Sequence, residues 1–204
     1  MENLLSLYKK YGVLGTFHIC ISFLYTKLFF RDSRLIRLPF DIRNRKNIKL
    51  GKNFTSGKGC RLEAYYSGDE LSYKCIEIGE NVQINDYVHI SAISSIKIDN
   101  NVLIASKVFI SDHNHGSYSE SFQDSPEVPP IKRELKSKSI WIQENVWIGE
   151  NVSVLPGCKI GKGSIIGANS IIVKDIPDYS IVVGNPGRII KRFDNISKTW
   201  RSIS

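Results

Sequence analysis

The chain has 204 residues, of which 42% are hydrophobic and 24% are charged. A chain of this length and apolar content can bury a core, so it forms one globular domain with at most a small appendage, and disorder is excluded as its dominant state. The 15 glycines, the 4 cysteines and the lack of heptads exclude collagen-like, disulfide-scaffold and coiled-coil classes. The cysteines show no CxxC spacing, which indicates reduced thiols in a reducing compartment.

The net charge of +8 is concentrated at the N-terminus. Residues 1–52 contain 11 lysines and arginines against 3 acidic residues, whereas residues 53–204 contain 17 of each. A nucleic-acid-binding protein more often spreads basic residues and stacking aromatics over a binding face. Because this basic segment surrounds an apolar one, the pattern favours a membrane surface over a nucleic acid as its partner.

The apolar segment is Val13–Phe30, VLGTFHICISFLYTKLFF. Its length is near the minimum for a membrane span, but polar residues interrupt it, and Gly12 and Gly15 weaken a helix there. The segment predicts a helix that lies against another surface. Three interpretations stay open: a structural helix packed on the body of the protein, peripheral contact with a membrane, and a full span.

Aliphatic residues recur every six positions along most of the remaining chain, and Ser56 is the one exception. A six-residue period matches neither 3.6 nor 3.5, so the repeat predicts short strands separated by corners rather than helices. The fifteen positions are Leu50, Ser56, Leu62, Ile78, Ile84, Ile90, Ile98, Ile104, Ile110, Ile142, Ile148, Val154, Ile160, Ile166 and Ile172.

The fourth position of the repeat predicts the corners, because asparagine and glycine tolerate a positive φ. Nine of the fifteen hexads have one of these residues there: Asn53, Gly59, Asn81, Asn101, Asn145, Asn151, Gly157, Gly163 and Asn169. The first and fifth positions are expected to point inward. Three hexads make one triangular turn, and stacked turns pair at about 4.8 Å, so fifteen hexads predict about five coils in a prism about 24 Å long.

The repeat has interruptions, and the widest separates Ile110 from Ile142. It contains three prolines and two of the four histidines, and a long polar loop that leaves a regular solenoid is usually functional. The predicted organisation is a basic and apolar helical segment with a lead-in strand (1–47), a β-helix (48–177) with a protruding loop (111–141), and a C-terminal tail (178–204).

The hexads resemble those of the hexapeptide-repeat acyltransferases, over about residues 35–193. NVWIGENVSVLPGCKIGKGSIIGANSIIVKDIP, followed by VVGNPGRII, is similar to sugar O-acetyltransferases of the maltose and galactoside acetyltransferase type. FTSGKGCRLEAY, IGENVQINDYVHI and LIASKVFISDHNHGSYS, with the preceding LIRLPFDIRN, are more similar still to O-acetyltransferases of bacterial O-antigen and capsule clusters.

The resemblance implies an all-β solenoid, specifically a left-handed parallel β-helix, assembled as a homotrimer. It implies that acetyl-CoA is the acetyl donor, that no metal takes part, and that the acceptor is a sugar hydroxyl of a surface polysaccharide or its precursor. The enzyme is then expected in the cytoplasm. The basic N-terminus would place it at the inner face of the cell membrane.

The loop histidines are the candidates for a general base at neutral pH. In the maltose acetyltransferase type, the catalytic histidine lies five residues after the last inward aliphatic residue before the loop. Counting from Ile110 gives His115. His113 then orients a partner, binds substrate or is simply a loop residue, and Asp112 or a backbone carbonyl could hold the imidazole tautomer. The sequence has no nucleophile elbow and no suggestive Cys–His spacing, so direct attack on the thioester is the simpler mechanism.

Two residues are predicted to contact the acceptor. The resemblance places a substrate-contacting asparagine at Asn85, although an asparagine that is solvated or part of a ladder would occupy the same position. Trp147 precedes the inward Ile148, so alternation points it outward. It could line the acceptor or pantetheine channel, or pack against a neighbouring subunit.

The coenzyme side is expected towards the C-terminus, where the tail 178–204 closes the site. Pantetheine needs small side chains along its path, and the resemblance gives Ala168 a backbone contact to it. The 3′-phosphoadenosine needs cations. The predicted coenzyme-binding residues are Gly149, Gly167, Ala168, Lys174, Arg188 and Lys191.

Three other function classes stay open. An N-acetyltransferase acting on an amino sugar is compatible with the same base chemistry. A zinc hydratase of the γ-carbonic-anhydrase kind would use His89, His113 and His115 across a subunit interface, but that spacing fits poorly. A non-enzymatic solenoid would show flat threonine-rich faces and no loop.

Overall fold

The computed structural model describes residues 4–65, 73–119 and 122–203. Within these ranges, one helix, α1 (Leu4–Phe29), precedes a series of short strands, and two 3₁₀ turns lie at Arg45–Asn47 and Pro130–Lys132. The strands are β1 (Leu35–Ile36), β2 (Phe40–Arg43), β3 (Ile48–Leu50), β4 (Thr55–Ser56), β5 (Cys60–Ala64), β6 (Ile76–Ile78), β7 (Gln83–Ile84), β8 (His89–Ala92), β9 (Ile96–Ile98), β10 (Leu103–Ile104), β11 (Phe109–Ser111), β12 (His113–His115), β13 (Tyr118–Ser119), β14 (Phe122–Gln123), β15 (Leu135–Ser137), β16 (Ile140–Ile142), β17 (Trp147–Ile148), β18 (Ser153–Val154), β19 (Lys159–Ile160), β20 (Ile165–Ile166), β21 (Ile171–Ile172), β22 (Ser180–Val183), β23 (Arg188–Asp194) and β24 (Thr199–Ser202).

Three parallel sheets form the sides of a prism. Sheet A has the order β1-β4-β7-β10-β17-β20-β22 and continues into the antiparallel strands β23 and β24. Sheet B is β2-β5-β8-β11-β18-β21, and sheet C is β3-β6-β9-β16-β19, which a bridge from Ile160 to Ile176 extends. The described chain therefore makes six coils, each with one segment on A, B and C, and begins a seventh.

The predicted β-helix is confirmed, but it has more than the expected five coils. Ile36 and Ile42 start an extra coil before Leu50, and Ile176 and Val182 continue the prism after the last predicted hexad. Leu50 lies eight positions after Ile42 instead of six, and this change of phase hides the first coil from a search for a six-residue period.

The core is a column of aliphatic side chains inside the prism. Of the fifteen repeat positions, all are buried except Leu50, which is half-buried. Ser56 is buried in sheet A between Ile36 and Ile84, and its hydroxyl has no hydrogen-bond partner among the described residues. An unpaired buried hydroxyl costs about 1–3 kcal/mol, so the column has one weak point in its second coil.

The corner prediction is confirmed at every position. The nine asparagines and glycines of the fourth hexad position have φ between 57° and 86°. Tyr87 and Lys107 occupy the same corner position with φ 59°, which residue type did not predict. Three corner amides stack as a ladder, since Asn53 Nδ2 donates to Asn81 Oδ1 at 3.0 Å and Asn81 Nδ2 donates to Asn101 Oδ1 at 3.2 Å.

The insertions into the repeat emerge at one edge of the prism, the corner between sheets B and C. The inward residues on either side of that corner are six positions apart only in the fifth coil. The pairs, in coil order, are Ile42 and Leu50, Leu62 and Ile78, Ile90 and Ile98, Ile110 and Ile142, and Val154 and Ile160. The long loop therefore projects from the same edge as the shorter insertions below it.

The long loop is built from two small antiparallel ribbons. β12 pairs with β15, and β13 pairs with β14. Arg133 joins them, because its Nη1 donates to the Tyr118 hydroxyl at 2.6 Å and its Nε donates to the Val128 carbonyl at 2.8 Å. The loop thus has an internal framework that can hold side chains in place.

Helix α1 packs on the prism with its polar stripe. Gly12 interrupts the helix with φ 68° and ψ −174°. Further along, Thr26 Oγ1 accepts a hydrogen bond from the Ile36 amide at 2.8 Å, and Ser22 Oγ accepts one from the Leu38 amide at 3.1 Å. These hydroxyls satisfy backbone donors at the free edge of sheet A, and both residues are buried.

Candidate active site

Asp112 anchors the root of the loop. Its side chain is completely buried, and its carboxylate accepts hydrogen bonds from three consecutive amides at the corner of the coil below. Oδ1 accepts from Ile93 at 3.0 Å, and Oδ2 accepts from Ser94 and Ser95, both at 2.8 Å. Hydrogen bonds to an ionised group are the stronger kind, so the carboxylate fixes the point where β12 leaves the prism.

The two predicted catalytic histidines follow on β12. His113 Nδ1 lies 2.9 Å from Asp112 Oδ1, and its side chain is 13% exposed. His115 is exposed and lies on the same face of the ribbon, since strand residues two apart share a face. Its carbonyl accepts a hydrogen bond from the Tyr118 hydroxyl at 2.7 Å, which fixes the backbone at that residue. Asp112 therefore holds His113, and His115 is the imidazole that faces outward.

Two of the predicted coenzyme residues, Gly149 and Gly167, lie along the opposite edge of sheet B, the corner between sheets A and B, in a row with Ala105 and with Asn85, which was predicted to contact the acceptor. Asn85, Ala105, Gly149 and Gly167 each follow a strand of sheet A, and each donates its amide to the coil above. We call this row the small-residue track. Trp147, two residues before Gly149, points outward from sheet A and is 50% exposed, as predicted.

Packing within the chain is enough to require both glycines of the track. A Cβ at Gly149 would lie 2.6 Å from the backbone nitrogen of Ala168, and one at Gly167 would lie 2.7 Å from a methyl of Val183. Ala168 itself is exposed beside the track. The glycines therefore follow from the close stacking of coils as well as from any need to admit a ligand.

Two of the three predicted cations, Arg188 and Lys191, lie beside the C-terminal end of the track. Arg188 lies opposite Val183 and Lys191 lies opposite Ile181, where β23 folds back on β22. The Gly187 amide donates to the Ile171 carbonyl at 2.8 Å, which brings the start of β23 next to β21. The exposed Lys174 follows β21 on the way to sheet C, so it lies at the edge from which the loop projects and not at the track. Asn85, at the other end of the track, is half-buried, and its Oδ1 accepts a hydrogen bond from Gln83 Nε2 at 3.0 Å.

One chain does not bring the two halves of the predicted site together. Asn85 lies at the edge where the chain enters sheet B, and His113 lies at the edge where it leaves sheet B. The outer face of sheet B separates the small-residue track from the loop. The sequence grouped these residues by function, whereas the prism places them on two different edges.

Sequence reasoning missed a cluster on that outer face. His89 Nε2 lies 2.8 Å from Glu63 Oε2, while Oε1 accepts a hydrogen bond from the Tyr65 hydroxyl at 3.0 Å and forms an ion pair with Arg43 Nη1 at 2.5 Å. Burial raises the pKa of Glu63, but the hydrogen bonds from His89 and Tyr65 outweigh it, so the net pKa is lowered. Aligning the hexads would have revealed the cluster, because Glu63 follows inward Leu62 and points outward.

The described residues contain no group of three or more His, Cys, Asp or Glu side chains arranged to hold a metal ion. None of the four cysteines, all of which lie within the described ranges, is in a disulfide. Burial raises the pKa of Cys60 and of Cys158 to about 11, which keeps both thiols protonated and unreactive at neutral pH.

Comparison with known proteins places this arrangement in a family. The family model described as bacterial transferase hexapeptide (six repeats) matches residues 139–174. Over 198 residues, which are 97% of this chain and 98% of the relative, the sequence is 46% identical to WbbJ of Escherichia coli K12, whose name describes an O-acetyl transferase of lipopolysaccharide biosynthesis.

Two solved structures have a similar fold. AntD, an N-acyltransferase from Bacillus cereus in complex with dTDP and 3-hydroxybutyryl-CoA, matches with a TM-score of 0.65 and 24% identity, over 80% of this chain and 81% of that one. A hexapeptide-repeat acetyltransferase from Vibrio cholerae, complexed with acetyl coenzyme A, matches with a TM-score of 0.51 and 25% identity, over 76% of this chain and 72% of that one. The sheets described above are thus those of a left-handed parallel β-helix, and the chain belongs to the bacterial hexapeptide-repeat transferases, in the group of O-acetyl transferases represented by WbbJ.

Proposed function

We propose that the protein transfers an acetyl group from acetyl-CoA to a sugar hydroxyl of a bacterial surface polysaccharide, or of its membrane-bound precursor. The observation that carries this proposal is the 46% identity with WbbJ over nearly the whole of both chains. Such a transfer needs a base and a binding path for the coenzyme. The anchored loop supplies histidines as candidates for the base, and the row of small residues leads towards cations that could bind the coenzyme phosphates.

The proposed chemical step is direct attack on the thioester. The acceptor hydroxyl oxygen attacks the acetyl carbonyl carbon while His115 takes the hydroxyl proton. The tetrahedral intermediate collapses, the carbon–sulfur bond breaks, and the imidazolium returns its proton to the departing CoA sulfur. His115 is assigned this role because it is exposed to an incoming hydroxyl, whereas His113 is nearly buried and bound to Asp112.

His113 is the second candidate for the base, and one specific observation favours it. Its imidazole has a carboxylate partner at 2.9 Å, the arrangement that holds a catalytic imidazole in one tautomer. In the assignment to His115, the same contact makes His113 a positioning residue that ties β12 to the prism. Separate replacement of the two histidines distinguishes these assignments.

Acetyl-CoA is proposed to lie along the small-residue track. Its pantetheine arm would pass Gly149, Gly167 and Ala168, and its phosphates would reach Lys174, Arg188 and Lys191. The support is the order of these residues, since Arg188 and Lys191 follow the small residues towards the C-terminal end of the prism. Asn85 and Trp147 are proposed to contact the acceptor at the start of this path.

The protein is proposed to act as a homotrimer whose sites lie between subunits. The loop and the small-residue track lie on opposite edges of sheet B, so one chain does not bring them together. This supports the assembly, because a second copy could bring its loop to the track of the first. Closed cyclic symmetry is the usual form of soluble homo-oligomers.

Complementation tests this shared site. Co-expression of His115→Ala chains with chains lacking Arg188 and Lys191 should restore some activity, because part of the mixed sites would combine an intact loop with intact cations. Each variant alone should be nearly inactive at low acetyl-CoA. An active monomer of 23.1 kDa in sedimentation would contradict the assembly.

Helix α1 is proposed to hold the enzyme on the membrane surface. Its polar stripe is buried against the prism, which leaves a large apolar surface outward. The exposed apolar side chains include Val13, Leu14, Phe17, Ile21, Phe23, Leu24, Leu28 and Phe29. The most apolar 18-residue window of Leu5–Phe29 has a mean hydropathy of 1.3, and 11% of that window is buried. The segment is therefore long and apolar enough to cross a membrane. The basic residues around it favour an anionic leaflet, at about 1 kcal/mol per group near the surface.

Flotation with anionic liposomes at low and high salt tests the membrane contact. Peripheral binding predicts flotation at low salt that high salt weakens. Binding that resists both salt and alkali would indicate a span, and no flotation at low salt would leave the helix as a contact between subunits.

The proposed reaction is tested by incubating the purified protein with acetyl-CoA and lipid-linked O-antigen or capsule repeat units. Mass spectrometry should show a gain of one acetyl group that mild base removes, because an ester is labile under conditions in which an amide survives. A base-stable product on an amino sugar would instead establish the alternative, an N-acetyltransferase.

A further inference from the structure

Two imidazole–carboxylate pairs lie along the outer face of sheet B. One is His113 with Asp112, and the other is His89 with Glu63, at 2.9 Å and 2.8 Å. The strand register aligns Glu63 with Ser91 and Ser91 with Ser111, whose hydroxyl lies 3.4 Å from His113 Nδ1. Only two small side chains therefore separate the Glu63 pair from the loop along this row.

The Glu63 cluster differs from the other charged pairs on the prism. The Glu63 side chain is 6% exposed although it points outward, because His89, Tyr65 and Arg43 converge on its carboxylate. By comparison, Lys49 and Glu77 on sheet C are 3.8 Å apart with side chains 65% and 46% exposed. The first arrangement fixes several side chains in one geometry, whereas the second is an ordinary solvated pair.

The groups that this carboxylate fixes present a mixed surface. The His89 ring packs on Phe109 with 5.4 Å between centroids, and Phe109 and Tyr65 are both partly exposed. Arg43 and Arg61 add guanidinium donors, and each of these side chains is 46% exposed. An aromatic face beside oriented polar groups suits a sugar ring, whose C–H face packs on the aromatic while its hydroxyls bond to the polar groups.

We propose that Glu63, His89, Tyr65 and Phe109 form a subsite for a second sugar of the acceptor, away from the sugar that is acetylated. The proposal rests on the proposed function. Two strand spacings put Glu63 about 10 Å from Ser111 at the root of the loop. One sugar ring does not span that distance, so the subsite selects an acceptor of at least two linked sugars over a free nucleotide sugar.

The subsite lies on the side of the loop that faces the helix α1 end of the prism, which is the side from which a membrane-attached acceptor would approach. β5 and β8 belong to the second and third coils, between helix α1 and the loop, whereas the small-residue track continues away from the helix towards β22. A glycan attached to a membrane lipid would reach the loop from the side of the helix, and acetyl-CoA would reach it from the other side. Glu63 and His89 lie on the first of these paths.

The test compares two acceptors: a repeat-unit oligosaccharide and the single sugar that carries the acetylated hydroxyl. His89→Gln and Phe109→Ala should each raise the KM for the oligosaccharide about tenfold, the effect of losing about 1.4 kcal/mol. The kcat/KM for the single sugar and the KM for acetyl-CoA should change less than twofold. Phe109→Tyr should restore oligosaccharide affinity, and Glu77→Gln serves as the matched surface control.

Equal losses with both acceptors would overturn the subsite, as would a fall in the melting temperature of His89→Gln large enough to account for its loss of activity. A wild-type enzyme that acetylates neither acceptor would instead remove the proposed function and leave the subsite without a substrate. A wild-type enzyme that acetylates the single sugar as efficiently as the oligosaccharide would overturn the subsite alone.

Discussion

The coils below the loop and the coils above it use the same hexad but differ at one corner. Below, the corner between sheets B and C carries insertions in every coil, and the adjoining face holds Glu63, His89 and the anchored loop. Above, the corner closes in six residues between Val154 and Ile160 and carries no insertion. The inward residues are aliphatic in both regions, so the core does not distinguish them.

The difference shows that the residues that stabilise this solenoid are separate from the inserted residues that leave it at one corner. Each coil needs only its inward residues and its positive-φ corners to pair with the next. Extra residues can leave at one corner without disturbing the other two, because the strands on either side keep their register. We therefore expect substitutions in the proposed site to affect activity, and substitutions at inward or close-packed positions to affect stability.

The largest effect is expected at the loop. His115→Ala should lower kcat by about 10²–10⁴-fold, the range for loss of a general base, with little change in acetyl-CoA affinity. His113→Ala and Asp112→Asn should reduce activity less, and should loosen β12 as seen by faster amide exchange at the loop root. An inactive His113→Ala beside an active His115→Ala would reverse the assignment.

Next in size is an effect on stability in the upper coils. Gly149→Ala would put a Cβ 2.6 Å from the Ala168 backbone nitrogen, and backbone cannot easily move aside. We expect a loss of about 1–3 kcal/mol in the free energy of unfolding, measured by urea denaturation without acetyl-CoA. Ser153→Ala in the same coil is the control. An unchanged stability would show that the glycine serves the ligand alone.

The cations proposed to bind the coenzyme phosphates should have a smaller effect that is specific to the donor. Arg188→Ala and Lys174→Ala should each raise the KM for acetyl-CoA about three- to tenfold, since both side chains are exposed and solvent weakens their contacts. With a donor that lacks the 3′-phosphate, the substitution should raise KM less at the residue that binds that phosphate. If each substitution raises KM equally with both donors, neither Arg188 nor Lys174 binds the 3′-phosphate.

In the lower core, a substitution is expected to raise the free energy of unfolding slightly, in contrast to the loss predicted for Gly149→Ala. Ser56→Ala removes a buried hydroxyl that has no partner among the described residues, and should stabilise the protein by about 1 kcal/mol. Ser164→Ala is the matched control and should destabilise, because the Ser164 hydroxyl donates to the Pro177 carbonyl at 3.0 Å. A destabilised Ser56→Ala would mean that the hydroxyl is paired in solution.

The smallest effect is the pH dependence of the Glu63 cluster. Because the pKa of Glu63 is lowered in the folded protein, its contacts stabilise the fold above the ordinary glutamate pKa. That stabilisation is lost as pH falls through the lower folded value. Glu63→Gln should therefore flatten the acid side of the stability profile, measured by thermal unfolding from pH 7 to pH 3. A profile identical to wild type would show that the carboxylate is not the group responsible.

Much of the candidate site could be predicted from local pattern and family resemblance. The residues next to an inward aliphatic residue, such as Asn85 and Trp147, have the predicted positions because alternation along a strand fixes which side chains point outward. The contacts between coils could not be predicted in the same way. Asp112 holds His113, and its other contacts are amides of the coil below, which no spacing along the chain reveals.

The sequence by itself determined the prism, because a six-residue period with aliphatic inward positions and positive-φ corners admits few other ways to bury its core. It also determined the charge asymmetry and the apolar helix. Only the tertiary structure decided which residues share an edge and which outward side chains meet, as in the cluster of Glu63 with His89. It also decided that α1 packs through Ser22 and Thr26 and leaves its apolar side outward. The physical reason is that these contacts join residues far apart along the chain: 10 and 16 positions for Thr26 with Ile36 and Ser22 with Leu38, and 26 positions for Glu63 with His89. Packing of the helix on the prism and the register between coils therefore set them, rather than the order of residues within one coil.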